Sequence, residues 1–187
     1  NWGNVNLLSD SDLGRQQVEW VSRMQSGNAY EREFAHSLRV AYLDSIEFAK
    51  GQMAGLEPTG NFPDVSIGRD LRYLARHLQY SKMTGATRQI YLVQDGGYDT
   101  HSGQLNTGET NPGLERMLSN TAASVAALDQ SIRSAGMDGE VTIVIMSEFG
   151  RTLSPTDTGS DHAWGGNNMI MGGAVNGERI FGAYPKM

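Results

Sequence analysis

Residues 89–101 read QIYLVQDGGYDTH, and residues 141–151 read VTIVIMSEFGR. In the first stretch a short apolar run, Gln89 to Val93, gives way to a glycine-rich loop. In the second, Val141 to Met146 is nearly continuous in apolar residues, the pattern of a strand covered on both faces. Between them, Pro112 to Ala135 carries Leu114, Met117, Leu118, Thr121, Val125 and Leu128 at steps of three and four. That spacing predicts a helix, with Pro112 in its first turn and Gly136 as its stop. Strand, helix and strand in this order predict a parallel crossover. The loops after Val93 and Met146 would then emerge side by side at the carboxyl ends of an α/β sheet, where such sheets place their ligands. Asn168 to Met171 reads as a further strand.

Upstream, the apolar positions Phe34, Leu38, Ala41, Tyr42 and Ala49 predict a helix over Tyr30 to Lys50, ended by Gly51. Ile67, Leu71, Leu74, Ala75 and Leu78 predict another over Ser66 to Tyr80. Residues 51–64 carry three Gly and two Pro and read as an exposed connection. The first thirty residues read as loop followed by a short helix. The 187 residues suffice for one domain. A net charge of −6 with no basic run argues against a nucleic-acid partner. No apolar run approaches the ~20 residues of a membrane span. With no Cys, any metal must be held by His, Asp, Glu or hydroxyl groups.

Three loop clusters carry the residues for chemistry: Asp95 with Asp99-Thr100-His101, then Ser147-Glu148-Phe149-Gly150-Arg151, then Gly159-Ser160-Asp161-His162. Their oxygen and imidazole donors suit divalent cations such as Zn, Mn or Mg, and the surrounding glycines let main chain approach a ligand closely. Taken singly, each cluster has a plainer reading. Asp-Gly-Gly is a common turn, Asp161 could cap a helix, and Glu148 and Arg151 could be a surface ion pair. His36 and His77 read as packed or solvated helix residues, and Arg69, Arg72 and Arg76 as a solvated face. Only the convergence of the three clusters on one rim favours a site.

The strings YLVQDGGYDTH, VTIVIMSEFGRT, GSDHAWGG and GGAVNGERIFGAYP, spanning about Phe62 to Pro185, closely resemble the second half of the bacterial family called domain of unknown function 1501, placed in the alkaline phosphatase superfamily. The resemblance implies an alkaline-phosphatase-like three-layer α/β sandwich with a mostly parallel sheet. Residues 1–187 would form a single domain, the C-terminal part of a larger one. It also implies a metal-dependent hydrolase of phosphate or sulfate esters, acting on a small anionic substrate with one or two divalent metals. Asp99, His101, Glu148, Asp161 and His162 fall at the metal positions, with Glu148 where a bridging Asp is usual and Phe149 where a histidine is usual. Arg151 is the candidate for binding the tetrahedral anion. The nucleophile and an early metal ligand would come from a strand that these residues lack. The missing N-terminal half, or another chain, would dock at the sheet edge. Many relatives look exported through a twin-arginine signal, which implies a periplasmic or secreted location. The rival reading is an exported binding or assembly module on the same scaffold, without turnover. A serine hydrolase using Ser147 lacks the G-x-S-x-G string.

Overall fold

The computed structural model describes residues 12–106 and 113–183. The elements are α1 (Asp12–Ser22), α2 (Ala29–Met53), α3 (Ser66–Thr84), α4 (Leu114–Ser134), β1 (Ile143–Ile145), β2 (Gly150–Pro155), β3 (Ser160–Ala163) and β4 (Met169–Met171). They fall into two compact units. One holds the described residues up to Glu57 together with Arg76–Gln89, and the other holds Pro58–Ala75 together with the described residues from Ile90 onward.

In the first unit α1 packs on α2. Asn28 caps α2, its side-chain oxygen accepting from Tyr30 N at 2.9 Å. The expected stop at Gly51 does not occur, and α2 runs through it to Met53. Gly51 is there for space: a Cβ would lie 2.7 Å from His77 Nδ1. His77 and Ser81, on the Arg76–Thr84 portion of α3, are both buried.

In the second unit the front of α3 buries Ile67, Leu71 and Ala75, one stripe at four-residue spacing. Likewise α4 buries Ser124, Ala127, Leu128, Ser131 and Ile132. Its C-terminus is a Schellman motif: Gly136 N donates to Arg133 O at 2.9 Å and Met137 N to Ile132 O at 3.0 Å, with Gly136 at φ +64° and Met137 buried beneath. The Gly136 stop therefore matches its sequence pattern, whereas Pro112 lies outside the described residues.

The strands correct the expected architecture. Among the described residues there are two small two-stranded sheets, both antiparallel, and not the parallel sheet of a three-layer sandwich. β1 pairs with β4 in the register Ile143↔Met171, Val144↔Ile170, Ile145↔Met169. The chain reaches this pairing because two glycines fasten the return. Gly173 N donates to Asp138 O at 2.8 Å, and Gly172 takes φ +143°, a backbone conformation that side chains disfavour. Gln89 to Val93 forms no strand; Ile90 and Leu92 are 97% and 81% exposed. Strand propensity describes fit to a partnered, half-covered surface, and β1 meets β4 instead of this run. β2 pairs with β3 through Gly150↔Ala163, Arg151↔His162 and Pro155↔Ser160, with a register shift between Arg151 and Pro155. No helix among the described residues is long and apolar enough to cross a membrane.

Candidate functional site

The β2–β3 hairpin is knitted to the loop that follows Gln89–Val93, and a glycine lets the two come close. Gly159 has no side chain, and a Cβ there would run into the carbonyl groups of Thr100 and His101. This close approach lets Ser160 N donate to Thr100 O at 3.4 Å and Gln104 N to Thr158 O at 2.8 Å. The side chains add to it: Thr156 Oγ1 donates to His101 O at 3.2 Å, and buried Ser160 donates from Oγ to Gln104 Oε1 at 2.8 Å.

The seam brings three ligand-type side chains together across more than sixty positions. Asp99 Oδ1 lies 2.8 Å from His162 Nε2 and 2.9 Å from His101 Nδ1. The two imidazole rings are 4.8 Å apart at an interplanar angle of 36°. One donor atom from each residue lies within 4.8 Å of the others. Arg151, the cross-strand partner of His162, places Nη2 3.6 Å from the same carboxylate oxygen. The His162 hydrogen bond holds the Asp99 carboxyl below its usual range against the opposing effect of desolvation, and the charges of His101, His162 and Arg151 add to the lowering. Phe149 stacks on His162 with ring centroids 3.9 Å apart and planes 8° from parallel.

Of the residues singled out from sequence, Asp99, His101, His162 and Arg151 thus meet at one place. Glu148 is exposed and outside the three-donor group. Asp161 is exposed too, and strand alternation turns it to the face opposite His162. Ser147 directs its hydroxyl to Phe149 O at 2.7 Å. Sequence reasoning missed two features. Phe149, read as a lost ligand, is the ring against which His162 rests. Beside the site, Tyr98 donates to Asp95 Oδ2 at 2.6 Å, with Thr121 Oγ1 2.5 Å from the same hydroxyl. Burial first, then this carboxylate, pushes the Tyr98 phenol up to about 12. A Tyr three residues after an Asp in a Gly-Gly loop was the only available signal.

Two imidazoles and one carboxylate, all more than 40% exposed at the side chain, are a donor set that could hold one borderline divalent cation with open positions for water or substrate. A cation between them would need the three donors to spread slightly from their present mutual hydrogen bonds.

The family model described as "Protein of unknown function (DUF1501)" matches residues 12–187, and the chain belongs to that family. Neither a curated protein nor a solved structure matches it.

Proposed function

We propose, from membership of that family and from the loop–hairpin geometry, that this protein is a metal-dependent hydrolase of phosphate or sulfate esters. The observation that carries the reading is the meeting of His101 Nδ1 and His162 Nε2 on one oxygen of Asp99. A Zn, Mn or Mg ion bound there would polarise the ester and lower the pKa of a bound water. The protein's own residues prepare that chemistry. Asp99 is kept ionised, Phe149 covers one face of His162, and the exposed rims of His101 and Asp99 leave room for a small anionic ester. Glu148 and Asp161 lie outside the three-donor group and are not ligands of this ion.

Turnover with metal is the test. Aryl phosphate and aryl sulfate esters are assayed with added Zn, Mn or Mg in the presence of the segment or chain expected to carry the nucleophile, and cleavage is expected to require the metal and to disappear in Asp99→Ala. Metal bound at stoichiometry without cleavage would favour the second reading, an exported binding or assembly module. That reading has its own support in Phe149, an aromatic ring where the resemblance implies a ligand. Both readings share the periplasmic or secreted location that the family resemblance implies.

A further inference from the structure

Arg151 was expected to bind an anion, yet its donors point into the protein. Nη1 donates to Ser160 O. Nη2 donates to Tyr98 O at 2.6 Å and reaches Thr100 Oγ1 at 3.4 Å. The side chain is only 18% exposed. Its Cζ sits 4.9 Å above the Phe149 ring, the same ring that stacks on His162. The two main-chain oxygens it grips flank the donor set: Tyr98 immediately precedes Asp99, and Ser160 lies two residues before His162 on the same face of β3. One guanidinium therefore fastens the Asp99–His101 loop to the strand bearing His162, and it also holds the ring that orients that histidine.

We propose that Arg151 is a positioning residue, a strut that sets the spacing and ring orientation of the Asp99, His101 and His162 donors. The inference rests on the reading of those three as a cation site. It goes further in assigning Arg151 to the protein's own carbonyl groups instead of to the substrate. Lysine cannot replace it, because an ammonium offers neither the planar fork that reaches two carbonyls in different directions nor a flat face for Phe149. Losing such an outer partner of a metal site typically costs ~10–100-fold in metal affinity.

The test reads the histidines before it reads metal. In the metal-free protein, long-range proton–nitrogen spectra of the imidazoles should show His101 and His162 with ring nitrogens hydrogen-bonded to Asp99. In Arg151→Lys, and independently in Phe149→Leu, the His162 signal should move towards that of a free imidazole while amide signals outside residues 98–104 and 149–163 stay in place. Zn2+ titration of the same proteins should show a ~10–100-fold weaker site in Arg151→Lys. Unchanged imidazole spectra in both variants would overturn the strut, as would weaker Zn2+ binding with the His162 signal unmoved, since the loss would then not run through the orientation of the histidines. A wild-type protein that takes up no Zn2+ would defeat the cation site instead, and the imidazole spectra would still decide the role of Arg151.

Discussion

His77 is 5% exposed, lying between the Phe48 ring at 5.1 Å and the bare Cα of Gly51. Burial holds its pKa below the ordinary value of 6.5, with Glu47 and Asp44 on α2 pulling weakly the other way. The unfolded chain therefore takes the proton more readily than the folded one. Stability present above about pH 6.5 is lost as the pH falls through that value toward the folded pKa. Thermal unfolding followed from pH 7.5 to 5 should show this loss, and His77→Leu should flatten it; an equal slope in the variant would clear His77 of the effect. Tyr98 works with the opposite sign. Its phenol is pushed up to about 12, so its contribution is present below about pH 10 and lost as the pH rises through 12. Absorbance titration of the seven Tyr should reveal one that ionises near pH 12, and Tyr98→Phe should remove that step.

Elements differ in how much of their stability is local, and that decides which were legible. The helices α2, α3 and α4 could be read because each needs only its own stripe, such as Ile67, Leu71 and Ala75, and its own end signals. The Schellman end of α4 is one such signal. Gly136→Ala forces a non-glycine residue to φ +64° and should cost about 1–2 kcal/mol in thermal or denaturant unfolding. Strands were less legible because each depends on a partner elsewhere in the chain. Gln89–Val93 has the composition of a strand and forms none, whereas Val141–Met146 contributes only Ile143–Ile145, on a partner and in a direction that its own residues do not specify. The hairpin seam was also invisible in the sequence, since the need for Gly159 appears only when Thr100 and His101 stand beside it. Gly159→Ala should loosen the junction by about 1–3 kcal/mol and weaken any cation bound at Asp99. Full stability together with unchanged Zn2+ affinity would contradict that close approach.

Across the whole molecule, much apolar surface is left in solvent. Ile90, Leu92, Val144, Met146, Ile170, Ile180 and Phe181 are each more than half exposed, and Val144 faces Ile170 across the β1–β4 pair. A two-stranded sheet is marginal unless something covers it. The chain by itself should therefore enhance the fluorescence of an apolar dye such as ANS, and Val144→Lys with Ile170→Glu should reduce the signal. The site was more legible than the sheet. Asp99 and His101 stand in a glycine-rich loop and His162 on β3, and their residue types make them candidates before any geometry is known, alongside Glu148 and Asp161, which lie outside the three-donor group. Phe149 does not announce itself, because a stacking role exists only once His162 has been folded against it.

Calorimetric titration of Zn2+ into the protein and into Asp99→Ala, His101→Ala and His162→Ala tests most directly whether these three side chains form one cation site. The predicted result is one equivalent bound by the wild type, with affinity lowered at least about tenfold in every variant, as expected when one of three ligands is removed. Wild-type binding that survives all three substitutions, or no binding in any of the four proteins, would contradict it.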